Sequence, residues 1–435
     1  MMPTAIAGFL AIAGVTVREA MRQRLWLLIA ALAVVLAVVL SSVSAVDQSA
    51  KLKLTIVVVT TVIGFAATLL AILVGSSQVR RDLDARIAIM LFSKPMPRVA
   101  YILGRWAGVQ VVVAAALAVL TLVGSALIAL RFSGLPEMRS VVPPSLWQVV
   151  SATGEVIPAT EGRSMVLLSG PPGNAARCTF SGLPTPGEHG LDVLLRADLR
   201  SLEADEVKHA SVTVLAAPAL DAPWQVLALD PHSPYGTGDA SEHAAQGQVL
   251  LRGRNTAHQD LSQDYCRLRL PKSCVSKGQA IVQLVRLDSR TGILFERNSG
   301  AYVGVDGGGF IENLGRAALV VLAASAVLTA ATLAISGLSS LPVALLGGLT
   351  LFFCGNALHA VRDALEFEEL SLPVHRLLSL AQDIFPDFDR FPLAARLAAA
   401  EAIDWGTVAQ AFTYFGIFTL VFLALAWLTI ARKDV

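Results

Sequence analysis

Apolar residues run along this chain in blocks too long for the interior of a water-soluble domain. Five stretches, 25–46, 54–76, 107–130, 317–335 and 409–430, reach the roughly 20 apolar residues that a helix needs to cross a hydrocarbon core of about 30 Å. A sixth, 341–358, is shorter and carries Gly347, Gly348, Cys354, Gly355 and Asn356. Glycine is common in membrane helices, so the pattern predicts a span here as well. An earlier apolar run, 5–15, has no basic region before it and no clear cleavage site, and does not read as a secretory leader. It passes into a segment bearing Arg18, Glu19, Arg22 and Arg24, which predicts a helix over 1–24 lying at the membrane interface.

Between the third and fourth spans the texture changes. Proline, glycine and charge return, with turn signals at 169–174 and 183–187. Short alternating runs at 191–196, 210–215, 248–252 and 280–285 predict strands, and hence a β-sandwich-like domain over 131–313. An insert of this length can bury a core of its own. The expected fold is an α-helical polytopic membrane protein with six transmembrane helices, an N-terminal interfacial helix and an inserted β domain. Its membrane halves are 25–130 and 314–435.

Composition agrees with the pattern. Hydrophobic residues make up 54% of the chain and charged residues 15%, against roughly 45–50% and 25% in globular proteins. The 34 Lys and Arg balance 33 Asp and Glu, so no basic excess is available to hold a nucleic acid. The distribution of charge matters more than its sum. One set of span ends carries Arg18, Arg22, Arg24, Arg80, Arg81, Arg86, Lys94, Arg98, Arg105, Arg432 and Lys433 against four acids. The opposite short loop has Lys51, Lys53 and Asp47, and the loop 361–408 has four Arg against nine Asp or Glu. The positive-inside rule then predicts that both termini are cytoplasmic and that the β domain is extracytoplasmic. Trp26, Trp106, Trp405 and Trp427 fall at span ends, as interfacial anchors do.

Within the bounds given above the spans contain no Asp, Glu, Lys or Arg. Proton-coupled transporters and voltage sensors usually place such groups in the membrane despite a cost of upwards of about 2.5–3.5 kcal/mol each. No phosphate-cradling GxxxxGK[ST] motif occurs, so the energy for uphill work is expected from another polypeptide. The histidines at 189, 209, 232, 243 and 258 lack metal-ligand spacing, and no metal site or catalytic residue is predicted. Cys178, Cys266 and Cys274 lie in the insert, where a Cys266–Cys274 bridge fits an oxidising compartment, although three cysteines leave one over.

Residues 78–105 stand out. Val79, Leu83, Ile87, Met90 and Leu91 recur at helical spacing, with Arg80, Arg81, Asp82, Asp84 and Arg86 covering the other faces. Lys94, Pro95, Met96, Pro97 and Arg98 break the helix, because residues before proline are biased out of the helical region. Tyr101 to Trp106 then restart it. Such an element serves either as a snorkelling anchor or as a docking surface for a cytoplasmic partner.

This segment resembles the signature of ABC-2-type transporter permeases, in which a helix rich in arginine and acids leads into a Lys-Pro turn, an arginine and a Tyr-Ile-x-Gly-basic stretch. Here those positions are Arg81 to Arg86, Lys94, Pro95, Arg98, Tyr101, Ile102, Gly104 and Arg105. The N-terminal helix with Arg18, Glu19, Arg22 and Arg24, Pro342 opening the fifth span and the basic tail extend the resemblance over both membrane halves. Arg105 stands where the family often has lysine, and the large insert is not a standard element. The resemblance implies a bacterial inner-membrane permease, dimeric with a second copy or paralogue. It would be moved by cytoplasmic ABC ATPase subunits that bind ATP and Mg. Arg80, Arg81, Asp82, Asp84, Arg86, Lys94, Pro95, Arg98, Gly104 and Arg105 would form the coupling interface, and this chain would hold no cofactor. In the outer loop Phe385, Phe388 and Phe391 share one face, either packed on the spans or gating an exit path. Two further readings are an anchor that signals for a ligand-binding β domain without translocation, and a secondary transporter.

Overall fold

The computed structural model describes residues 2–22, 25–42, 48–84, 97–132, 135–136, 138–157, 165–185, 191–195, 198–201, 209–229, 249–252, 266–287, 291–296, 300–367 and 385–431. They divide into a helical unit, Met1–Glu137 with Gly308–Val435, and a β unit, Met138–Gly307. The β unit is narrower than the 131–313 expected, because the helices on either side run on to Arg131 and begin at Phe310.

The helical unit contains α1 (Met2–Arg22), α2 (Leu25–Ser42), α3 (Gln48–Asp84), α4 (Arg98–Arg131), α5 (Phe310–Leu338), α6 (Leu341–Phe367), α7 (Leu393–Ala398) and α8 (Trp405–Ala431). Four stretches among the described residues are long and apolar enough to cross a membrane: Lys51–Val79, Arg98–Arg131, Phe310–Leu338 and Trp405–Ala431. They become five if α1 and α2, bent by 60° from one another, count together as one. Within α6 the apolar part, Leu341–Ala357, is shorter. At 1.5 Å per residue the 37 residues of α3 and the 34 of α4 give lengths of about 55 and 50 Å, well beyond a hydrocarbon core of about 30 Å. Of the expected coupling segment 78–105, residues 85–96 lie outside the described residues and the rest is helical but for Pro97. Residues Arg80 to Asp84 complete α3, and α4 starts at Arg98.

Helix α5 is the bundle's centre, packing on α3, α4, α6 and α8. It can approach its neighbours closely because its buried face is small and weakly polar. Ser325, Thr329, Thr332 and Ser336 are buried there, each returning its hydroxyl to a carbonyl of its own helix. That self-satisfaction removes the desolvation cost of a polar group in an apolar core.

The strand pairs among the described residues of the β unit are all antiparallel. A five-stranded sheet runs β1 (Arg139–Val142), β15 (Ala301–Asp306), β6 (Leu191–Leu195), β12 (Cys266–Leu270), β10 (Ala228–Leu229). A seven-stranded sheet runs β11 (Val249–Arg252), β8 (His209–Ala217), β13 (Gln279–Arg286), β5 (Ala175–Ser181), β2 (Leu146–Val150), β3 (Val156–Ile157), with β9 (Gln225–Val226) also on β8. A third joins β4 (Met165–Leu168), β14 (Thr291–Glu296) and β7 (Asp198–Ser201). Alternation explains the layering: Leu191, Val193 and Leu195 of β6 turn inward while Asp192 and Leu194 do not. Inward side chains from all three sheets, among them Trp147, Leu168, Phe180, Val193, Val214, Leu268 and Phe295, share one core. The turn before β5 needs its glycines, since Gly170 and Gly173 have φ of 97° and 96°.

The expected Cys266–Cys274 bridge is absent, and both thiols are free and buried. Strand geometry accounts for this. From Cys266 the extended β12 carries the chain about 13 Å, at about 3.3 Å per residue, before the turn that holds Cys274. Cys274 Sγ instead faces the Ala216 carbonyl of β8 at 3.6 Å. Burial pushes the Cys266 thiol up to about 12 and raises Cys178 and Cys274 as well, so none of the three is an activated nucleophile.

Candidate functional site

The densest polar constellation in the helical unit forms around Arg105, two turns into α4. A guanidinium there has five N–H donors and an apolar surrounding, so it must find acceptors on neighbouring helices. Asp82 of α3 takes its fork: Nε donates to Oδ2 at 2.9 Å, and Nη2 donates to Oδ2 and Oδ1 at 2.6 and 2.7 Å. Nη1 donates to Glu19 Oε2 at 2.7 Å, Gln78 Oε1 at 2.8 Å and Thr16 Oγ1 at 3.1 Å. Tyr101 donates its hydroxyl to Asp82 at 2.5 Å. Arg105 and Asp82 are almost inaccessible, with 3% and 1% of their side chains exposed, whereas Glu19 keeps 26%. A single side chain of α4 thus holds α1 and α3.

Apolar packing surrounds the node. Val79, Ile12, Tyr101, Ile102, Leu333, Leu423 and Ile430 form one buried cluster, which joins α1, α3, α4, α5 and α8. At the very start of α4, Arg98 Nη1 donates to the carbonyl of Ala431, the last described residue of α8, at 2.8 Å. Directly after the node Trp106 Nε1 donates to the Ala326 carbonyl, and about one turn further Gln110 Nε2 donates to Thr329 Oγ1, which ties α4 to α5 at 3.2 and 2.8 Å.

Gly104 and Gly108 fix the approach of α1. A Cβ on Gly104 would lie 2.9 Å from Ile12 Cβ and from the Phe9 carbonyl oxygen. On Gly108 it would lie 2.5 Å from Thr16 Cβ. The two helices therefore touch backbone to backbone, in the manner of small-xxx-small pairs in membranes. This Gly-x-x-x-Gly spacing is the sequence signal that reveals the contact. Gly104 was expected only as part of the coupling interface.

The other expected residues separate into groups. Of the coupling set, Arg81 is exposed and Arg98 half-buried, while Asp82 and Arg105 face each other inside. Arg80 and Asp84 close α3, but their side chains lie outside the described residues, as do Arg86, Lys94 and Pro95 altogether. On α1, Arg18 and Arg22 are exposed and Glu19 turns inward; Arg24 lies outside the described residues. Arg105 lies just before the charge-free run 107–130, within the same long apolar helix α4.

In the segment before α8, Phe388 stacks on Phe415 of α8 with centroids 6.0 Å apart, and Phe391 packs on Phe415 at 6.0 Å and on Tyr414 at 6.5 Å. That geometry is one of packing, and Phe385 is exposed beside it. The loop is secured further by Asn313 of α5, whose Oδ1 accepts the Ile403 N–H at 2.7 Å. Among the described residues, no three or more His, Cys, Asp or Glu are grouped to hold a metal ion. No family model, curated protein or solved structure matches the chain.

Proposed function

We propose that this chain is the membrane subunit of an ABC-type transport complex, a permease of the ABC-2 kind that it resembles, moved by ATPase subunits on its cytoplasmic face. The observation that carries the reading is the Arg105 node. Helix α4 begins directly after residues 85–97, and within its first turns it grips α1 and α3 through Arg105 and the end of α8 through Arg98. A displacement delivered to residues 85–97 would therefore be handed to four helices together. A buried, fully bonded guanidinium suits that task because its fork resists sliding where aliphatic contacts do not.

In this reading α2, α3, α4, α5, α6 and α8 are the six spans of a bacterial inner-membrane protein, with both termini cytoplasmic and the β unit outside. A second copy or paralogue completes the dimer, ATP and Mg bind only to the partner ATPase, and this chain is not catalytic. The basic excess at the ends near Arg18, Arg22, Arg81 and Arg98 supports the orientation. Arg81 is the exposed contact of the expected set.

Co-purification with a co-expressed ATP-binding cassette subunit, followed by ATP turnover in nanodiscs, tests the proposal. Arg81→Glu is expected to lower the stimulated turnover about tenfold, equivalent to about 1.4 kcal/mol of coupling. Turnover unchanged by this reversal would contradict the assigned contact. The self-contained core of the β unit favours a second reading, in which ATP-driven motion signals to a bound extracytoplasmic ligand without translocation. ATP turnover in proteoliposomes with no candidate substrate moved would favour it.

A further inference from the structure

The seven-stranded sheet of the β unit carries one row of side chains unlike those beside it. Gln148 of β2, Arg177 of β5, Gln283 of β13, Leu215 of β8 and Val226 of β9 stand opposite one another in register. Opposed residues share a face, and here it is the one turned from the core, since their neighbours Trp147, Cys178, Val282 and Val214 are the core residues. The flanking rows run from Leu146 and Thr179 on one side to Val285 and Thr213 on the other, so Arg177 is the sole charge of the three rows and no acid accompanies it. Trp224 directly precedes β9, three strands or about 14 Å from β5. The Arg177 guanidinium nevertheless lies 5.8 Å from the centroid of the Trp224 ring. Both side chains must therefore lie along the sheet, over Leu215 and Gln283.

Much of the hydrogen-bonding capacity of this row is unspent among the described residues. Arg177 Nη2 donates to Gln283 Oε1 at 3.2 Å, while its Nε is buried with no partner. The Gln148 amide and the Trp224 indole N–H, on half-buried side chains, also bond to nothing described. A buried donor without an acceptor is unfavourable, and a ligand oxygen relieves it.

We infer that this row binds a carboxylate-bearing sugar chain. Arg177 meets the carboxylate, the amides of Gln148 and Gln283 meet ring hydroxyls, and Trp224 carries an apolar sugar face. A lone guanidinium in rows without an acid selects an anion. Glutamine amides both donate and accept, as hydroxyl groups require and a bare anion does not. An indole adds flat apolar surface with one N–H on its rim. Strands β5 and β13 are interior, with neighbours on both sides, so an extended peptide has no edge here to join. The inference gives a ligand class to the second reading of the function. Its test contains no ATPase, so it and the coupling proposal fail separately.

Titration calorimetry on the full chain in phosphatidylcholine nanodiscs tests it, with oligogalacturonate, a hyaluronan oligosaccharide and oligosialic acid as probes. At least one of them is expected to bind, and its methyl ester about tenfold more weakly. Arg177→Gln should lower the acid to the affinity of the ester, and Trp224→Leu should weaken acid and ester alike about fivefold. Gln148→Ala removes no bond to a described residue, so it keeps the test open if the other variants fail to fold; a loss of about threefold is expected. Binding of none of the probes, equal binding of acid and ester, or wild-type affinity in Arg177→Gln or Gln148→Ala would overturn the proposal. Tetraglutamate bound more tightly than any of the sugars would overturn it in favour of a peptide.

Discussion

Arg105 shows why a buried ion pair has to be judged by what breaking it leaves behind. Removing one partner strands a charge, so Arg105→Gln, which among the described residues leaves the enclosed Asp82 with the Tyr101 hydroxyl as its hydrogen-bond donor, is expected to destabilise the helical unit by about 3–5 kcal/mol. Adding Asp82→Asn should recover a large part of that loss, since both charges are then gone. Unfolding of the four-member cycle in detergent measures the coupling, and additive single effects would contradict a direct pair. The residue types were legible in the sequence, for Arg105, Asp82 and Glu19 were all expected to matter. Their partnership was not, because packed helices bring together positions whose separation in sequence carries no period. The available warning was an arginine two turns inside an otherwise apolar helix, a position that proteins occupy only with a partner. The thiols make a plainer case. Intact mass of the unreduced β unit should show no bond, and alkylation of Cys178, Cys266 and Cys274 should require unfolding, given their burial and raised thiols. A mass deficit of a disulfide would contradict the structure.

Helix contacts depend on shape as much as on charge. Gly104→Leu or Gly108→Val places atoms where Ile12 and Thr16 already stand, and either is expected to cost about 1–3 kcal/mol by forcing α1 from α4. A paired Thr16→Gly substitution should partly rescue Gly108→Val, because it removes the nearest atom, Thr16 Cβ. Helix α8 illustrates termination signals. Asp404 caps it by accepting the Thr407 N–H at 3.2 Å and the Thr407 hydroxyl. Partial burial pushes this carboxyl up, but the Thr407 and backbone hydrogen bonds and nearby Arg396 outweigh it and hold the acid below its usual value. A depressed carboxyl contributes stability above its unfolded pKa and loses it as pH falls through the folded value. The difference in melting temperature between the wild type and Asp404→Asn should therefore be present at pH 7 and shrink on acidification below about pH 4. Elements with a strong period were readable: the apolar runs became helices, and the alternating runs at 191–196, 210–215, 248–252 and 280–285 became β6, β8, β11 and β13. Helix ends were not. Hydropathy stops at the first charge, whereas α3 and α4 continue as helices through Asp82 and Arg105 because those charges find partners inside.

For the whole molecule, the division into a helical unit and a β unit has a direct consequence. Residues 138–307 hold a core to which three sheets contribute, so they should fold when expressed alone, with a cooperative transition and β-type circular dichroism. Phe180→Ala, which opens a cavity in that core, should lower its stability by about 3–5 kcal/mol. For the helical unit the proposal is that α4 is the lever through which a cytoplasmic motor moves α1, α3 and α8. The most direct measurement is stimulated ATP turnover of the complex in nanodiscs with Arg105→Lys, which keeps the charge and removes the fork. The account predicts that the complex still assembles while stimulation falls about tenfold or more, a loss of at least about 1.4 kcal/mol of coupling. Full stimulation in that variant, or the absence of any associating ATPase, would contradict it.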